Sequence, residues 1–82
     1  MDIHEIKSDI KNLIADELHI PLEKIKDEDT FHDIGLDSIT ATFILDEIEN
    51  KYEIDIKPMD VWNHPTLGSF SELLHRIINE SN

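Results

Sequence analysis

The chain has 82 residues and a formal net charge of −12, from seven Lys and Arg against nineteen Asp and Glu. That length holds one small domain, and that charge would repel a nucleic-acid backbone or an anionic membrane surface. Cysteine is missing from the sequence, which excludes disulfides, zinc–thiolate sites and thiol catalysis. No apolar run approaches the roughly 18 residues of a membrane span, and the first residues do not form a secretory signal, so a cytoplasmic protein is expected.

A first amphipathic helix is predicted directly after Asp2. Apolar residues recur there at spacings of three and four, as a helix with one buried face requires: Ile3, Ile6, Ile10, Leu13, Ile14 and Leu18. Asp2 is expected to cap this helix, with Glu5 three residues on as in a capping box. Pro21 is expected to stop it, because the residue before a proline is pushed out of the helical region.

Residues 20–36 have neither a helical nor a strand period, so a long loop is predicted. The loop nevertheless carries large apolar side chains: Leu22, Ile25, Phe31, Ile34 and Leu36. We expect these side chains to pack down on the core, and loops of this length in compact domains are often functional.

A second long helix is predicted from Asp37 to about Asn50. One stripe of it should face the core: Ala41, Ile44, Leu45, Ile48 and Tyr52. Ile39 and Phe43 lie four residues apart on nearly the opposite face, among acidic residues. They are either exposed for a partner or packed under the loop.

The last third of the chain predicts one short and one long helix. Pro58 opens a brief helical turn, in which Trp62 is expected to be a packing residue, and Asn63-His64-Pro65 ends it. Thr66 is the expected cap of the final helix, whose apolar face is Leu67, Phe70, Leu73, Leu74, Ile77 and Ile78. The predicted fold is a single all-α domain over residues 1–82, a small bundle of three long helices and one short helix.

Acidic residues are concentrated around the end of the loop and the second helix. From residue 27 to residue 49 there are eight acids and no Lys or Arg: Asp27, Glu28, Asp29, Asp33, Asp37, Asp46, Glu47 and Glu49. The run is either an ordinary solvated face or a surface that steers the protein to basic partners.

The segment Gly35-Leu36-Asp37-Ser38-Ile39 is the strongest candidate site. Ser38 falls in the first turn of a helix, where unpaired N–H groups and the helix dipole favour an anion such as a phosphate. Gly35 allows an unusual backbone angle or the close approach of another molecule. The plainer interpretation is that Asp-Ser at this point simply caps the helix.

Other site chemistries fit the residues poorly. A serine-hydrolase elbow needs a glycine two residues after the serine, where this chain has Thr40. A calcium loop begun at Asp27 would place His32 and Ser38 where glycine and glutamate are needed. The five histidines show no spacing typical of metal ligands. Neither a catalytic residue nor a metal site is therefore predicted.

In its motifs and their order the chain resembles an acyl carrier protein. Residues 31–39 (FHDIGLDSI) match that family's Gly-x-Asp-Ser-(Leu/Ile/Met) signature at the start of the second helix. Residues 49–56 (ENKYEIDI) match the end of that helix and the link that follows it. The resemblance covers nearly the whole chain.

The resemblance implies a carrier and not an enzyme. Ser38 would receive 4′-phosphopantetheine from coenzyme A through a phosphopantetheinyl transferase, with Asp37 helping the transferase to position its magnesium and Gly35 as part of the signature. The thiol of the arm would hold acyl groups as thioesters for fatty acid, polyketide or related specialised biosynthesis.

The same resemblance implies a set of protein partners. They are an acyl-loading ligase or acyltransferase, and a ketosynthase or other acyl-processing enzyme with a basic docking patch. The implied docking residues are Ile39, Phe43, Asp46, Glu47 and Glu49. A monomer is expected, with no nucleic-acid partner.

Some residues depart from particular branches of the family. Carriers of fatty acid synthesis usually have acids where this chain has Thr40 and Phe43, and a methionine at Asp46. Residues 62–67 (WNHPTL) look more like carriers of polyketide or other specialised pathways, and Leu36-Asp37 argues against the peptidyl carriers. Two alternatives stay open: a D-alanine carrier, and an acidic helical interaction module without a prosthetic group.

Overall fold

A computed structural model describes residues 2–81, except for the side chain of Ser81, and shows an all-helical bundle. The helices are α1 (Ile3–Leu18), α2 (Phe31–Ile34), α3 (Ser38–Tyr52), α4 (Pro58–Asn63) and α5 (Leu67–Ser81). A short 3-10 turn spans Leu22–Lys24. The predicted fold class, three long helices and a short one around a packed loop, is confirmed. Between residues 2 and 81 no helix is both long and apolar enough to cross a membrane.

The core lies where the three long helices meet. Helix α1 packs chiefly on α5 and also on α3, and each contributes residues from its predicted apolar face. The most deeply buried of these are Ile6, Ile10, Ile14, Ile48, Leu67, Phe70 and Leu74. The edge of the Phe70 ring meets the Phe31 ring at 83°, with 5.4 Å between centroids, a favoured aromatic geometry. This contact joins α5 to the loop region.

The ends of the long helices follow their caps more closely than the prolines. The Asp2 carboxylate accepts from the backbone N–H of His4, so Asp2 caps α1 as predicted. Helix α1 ends at Leu18, and the next residue, His19, is left-handed at φ 56°. The helix therefore ends before it reaches Pro21, which was expected to stop it. The Thr66 hydroxyl accepts from the Ser69 N–H at 3.1 Å, which confirms the predicted cap of α5.

The predicted irregular loop contains a helix that its sequence period does not show. Helix α2 is four residues long, too short for an apolar stripe to develop. It is bounded by a capping box, in which Thr30 and Asp33 each accept from the other's backbone N–H, and by Gly35 at φ 106°. Local capping chemistry therefore indicates α2 where periodicity does not.

Most of the loop packs on the core as expected. Ile25 is buried, and the half-buried Phe31, Ile34 and Leu36 lie against the core. Leu22 is the exception, because 40% of its surface is exposed, and the prediction that it packs down is wrong. The whole 3-10 turn that carries Leu22 lies at the surface, and none of its three residues is buried.

Polar contacts fasten the loop to both α1 and α5. The Asp27 carboxylate lies 2.8 Å from the Lys7 Nζ and 3.1 Å from the Lys11 Nζ. The backbone carbonyls of Asp27 and Asp29 accept from the first N–H groups of α5, those of Gly68 and Leu67. These donors have no partner inside their own helix, so the loop supplies the partners.

The contact at Gly68 explains why a glycine is the second residue of α5. A Cβ built on Gly68 would lie 3.1 Å from the Asp27 carbonyl oxygen, closer than ordinary van der Waals contact. A glycine costs a helix a little stability, but here it lets the loop approach closely, and that contact offsets the cost.

Asp27→Asn should destabilise the protein at neutral pH and progressively less in acid. Hydrogen bonds from Lys7 and Lys11 lower the pKa of the Asp27 carboxyl, so its contribution is complete above the ordinary value of about 3.9 and is lost as the pH falls through the lowered pKa. Because the side chain is 44% exposed, solvent screening limits the loss at about pH 7 to under about 1 kcal/mol.

Urea unfolding of the wild type and the variant at about pH 7 and about pH 3 measures this difference. Asp16→Asn, at an exposed position of α1, is the matched control. A destabilisation by Asp27→Asn that is equally large at both pH values would contradict the assigned ion pairs.

Candidate functional site

The backbone from α2 to α3 turns Ser38 outward. Gly35 ends α2 in the left-handed region and donates to the His32 carbonyl. Leu36 then packs against the core, while Asp37 and Ser38 are exposed. Apart from Gly35 and its two neighbours in the chain, no atom of the described residues lies within 4 Å of a Cβ built on Gly35. Its backbone angle, and not crowding by those residues, is therefore what requires glycine here.

The capping task falls to Asp37 and not to Ser38. The Asp37 carboxylate accepts from the Thr40 N–H at 2.8 Å, and this hydrogen bond lowers the pKa of Asp37. Ser38 is the first residue of α3, and its hydroxyl makes no hydrogen bond within residues 2–81. The capping interpretation therefore holds for Asp37. The Ser38 hydroxyl takes no part in the cap.

The position of Ser38 suits a phosphate ester. A group attached to the hydroxyl would lie at the N-terminal end of a 15-residue helix, whose dipole and unpaired N–H groups favour negative charge. There is no acidic side chain in the first turn of α3 itself. The start of α3 is therefore chemically suited to a phosphate ester.

A mainly apolar groove of about 370 Å³ has Ser38 in its lining. Its walls come from the end of the loop, the first turn of α3, and α4. Trp62 forms part of the wall and is 79% exposed, so the prediction that it is a packing residue is wrong. Burial of this side chain depends on how the six-residue α4 lies on the bundle, which a period this short cannot specify.

The apolar pair on α3 faces outward. Ile39 is 83% exposed and Phe43 is 51% exposed, so the alternative that they pack under the loop is wrong. Asp46 and Glu47 are also exposed. A surface with apolar residues beside acids is thus present on α3.

Glu49 differs from the other acids of α3. It is half-buried, and its carboxylate accepts from the Ile56 N–H at 3.0 Å, which ties the link after α3 back to the helix.

Within residues 2–81 no group of three or more His, Asp or Glu side chains is arranged to hold a metal ion.

Comparison with known proteins places the chain in a family. The family described as "Phosphopantetheine attachment site" matches residues 8–74. The chain is 30% identical over 77 residues, 93% of its length, to the non-reducing polyketide synthase terA of Aspergillus terreus. It is 31% identical over 72 residues, 88% of its length, to the polyketide synthase PksN of Bacillus subtilis. The chain spans only 4% of the length of the first synthase and 1% of the length of the second.

Solved structures show the same fold. A free-standing peptidyl carrier protein from an uncharacterized Acinetobacter baumannii secondary metabolic pathway has a TM-score of 0.82 and 28% identity, covering 92% of this chain and 94% of the other. The HMG-ACPI domain of the CurA module from Lyngbya majuscula also has a TM-score of 0.82, with 26% identity, covering 99% of this chain and 83% of the other.

The chain belongs to the phosphopantetheine attachment family and is a carrier protein of the acyl or peptidyl type. Members of this family carry covalently attached 4′-phosphopantetheine and are not catalytic themselves. The regions of the synthases that match this chain are carrier domains, and such domains work with partner enzymes. The exposed, unbonded hydroxyl at the start of α3 fits that prosthetic group.

Proposed function

We propose that the chain is an acyl carrier of a polyketide-type or related specialised pathway, and that Ser38 is the residue that bears the prosthetic arm. The observation that carries the proposal is the free Ser38 hydroxyl at the N-terminal end of α3, with Asp37 already engaged as the cap. When bound, the arm supplies a thiol on which acyl groups travel as thioesters. The chain itself has no cysteine to do so.

The residues of the chain would have distinct roles in loading. In the active site of a phosphopantetheinyl transferase, the Ser38 oxygen would attack the phosphorus of coenzyme A that bears the pantetheine. The P–O bond within the pyrophosphate would break, adenosine 3′,5′-bisphosphate would leave, and the Ser38 proton would pass to a base of the transferase. The Asp37 carboxylate, ionised at neutral pH and exposed, is available to help the transferase position its magnesium. The N-terminal end of α3 would then stabilise the phosphodiester on Ser38.

The docking face would consist of Ile39, Phe43, Asp46 and Glu47. The acids would speed encounter with basic patches on an acyl-loading ligase or acyltransferase and on a ketosynthase. The two apolar side chains would be buried in the contact. Glu49, held by Ile56, would contribute through its charge alone. In this role the chain is a cosubstrate of its partners, a cytoplasmic monomer over the single domain 1–82.

Incubation with coenzyme A, magnesium and a broad-specificity transferase tests this function by intact mass. We expect the addition of one phosphopantetheine group. An unchanged mass with several transferases would favour the acidic interaction module without a prosthetic group.

Phe43→Ala should slow acyl transfer to a cognate partner by about tenfold, as expected for an apolar residue at the centre of a contact. The rate is measured with the loaded carrier and its partner enzyme, and the transfer should also weaken with rising salt. Leu22→Ala, which removes another exposed apolar side chain, is the matched control. Equal effects of the two substitutions would argue against a docking role for Phe43.

A further inference from the structure

The helical core has almost no free space for an acyl chain. The cavity between the helices, lined by Ile10, Ile44, Phe70 and their neighbours, measures about 20 Å³. A single water molecule needs about 10–15 Å³ by the same measure. A chain of several carbons would therefore have to displace packed side chains, at a cost typical of overpacked cores.

The groove beside Ser38 offers the space that the core lacks. It measures about 370 Å³ and opens to solvent. Its lining includes Ser38 and Ala41 from α3, and Pro58, Val61 and Trp62 from α4. Trp62 exposes most of a large apolar ring there, and covering such a ring is favourable.

A pantetheine arm on Ser38 matches this groove in chemistry. Its two methyl groups lie next to its phosphate, and hence next to Ser38, followed by two uncharged amides. An apolar wall can take the methyl groups, while the open side of the groove leaves the amides in contact with water.

We propose that this groove binds the prosthetic arm, with Trp62 packed against its dimethyl segment as a positioning residue, and that the acyl group stays outside the helical core. The inference rests on Ser38 as the attachment residue. It implies that the cargo remains accessible to partner enzymes instead of being sheltered between α1, α3 and α5.

Trp62 is the only tryptophan of the chain, so its fluorescence and its indole N–H signal report directly on the groove. We expect the emission to shift to shorter wavelength, and the indole N–H resonance to move, when the apo protein is converted to the holo protein. Loading a hexanoyl group should leave the methyl resonances of Ile10 and Ile44 unchanged. Large shifts of those methyl resonances would overturn the proposal, because they would place the acyl chain in the core.

A second measurement follows the two methyl groups of the arm by NMR in the holo protein. An indole ring packed on these methyl groups shifts their proton resonances upfield, so Trp62→Ala should return both resonances most of the way to their positions in free coenzyme A. Trp62→Phe should keep part of the upfield shift. Met59→Ala is the matched control, because Met59 is 62% exposed on α4 but does not line the groove.

The outcomes separate this inference from the proposed function. A holo protein of the expected mass whose Trp62 signals do not change, or whose arm methyl resonances are the same in all variants, overturns the groove and leaves the carrier function intact. Failure to gain the mass of the arm overturns both.

Discussion

Ser38→Ala is expected to abolish phosphopantetheine attachment while the protein keeps its fold. The hydroxyl is the proposed nucleophile, so no mass should be added with any transferase. Its removal should change the free energy of unfolding by no more than about 0.5 kcal/mol, as for other exposed positions without a structural role, because Asp37 caps α3 and the Ser38 side chain bonds to nothing else within residues 2–81. Intact mass and a thermal melt of the same samples measure the two effects.

Thr42→Ala is the matched control for this experiment. Thr42 carries a hydroxyl one turn away on the same helix, which donates to the Ser38 carbonyl at 2.8 Å, and the variant should still be loaded. Loading of Ser38→Ala would show that another residue bears the arm. Unfolding of Ser38→Ala would mean that the residue is mainly structural.

Phe70→Ala should be the most destabilising of the substitutions considered. Phe70 is 1% exposed and contacts the Phe31 ring, so the truncation removes buried area and leaves a cavity, at about 3–5 kcal/mol. A domain of this size has a total stability of roughly 5–15 kcal/mol. The variant should therefore unfold at a much lower urea concentration, as followed by far-UV circular dichroism.

Phe43→Ala makes the same chemical change at a half-exposed position. Its free energy of unfolding should stay within about 0.5 kcal/mol of the wild type. Destabilisation of Phe43→Ala as severe as that of Phe70→Ala would show that Phe43 belongs to the core, and would remove it from the docking face.

The long helices could be predicted because their signals are local. On α3, Ile44 and Ile48 are buried and Ile39 and Phe43 are exposed, as the 3.6-residue period requires. Asp2 and Thr66 cap their helices as expected. Helix α2 was not predicted, because its four residues are fewer than two turns and cannot show a helical period. Only its capping box and the glycine at its end indicate it.

The site was predicted in part. Its signature residues Gly35, Asp37 and Ser38 were found together at the start of α3, but their functional roles stay predictions. The groove was not foreseen, because it joins residues 30–38 to α4, and the exposure of Trp62 in its wall contradicts the packing expected from residue type. Likewise, composition could not show that Glu49 accepts a hydrogen bond from Ile56.

By itself the sequence determined which segments form the long helices, which faces of those helices are apolar, and which serine opens α3. Each of these depends on side chains within a few positions of one another. Only the tertiary structure decided that the core is nearly full, that Asp27 joins the loop to α1 and α5, and that Trp62 forms a groove with Ser38. These features depend on how segments far apart in the chain meet, and neither the period nor the caps of a single helix contain that information.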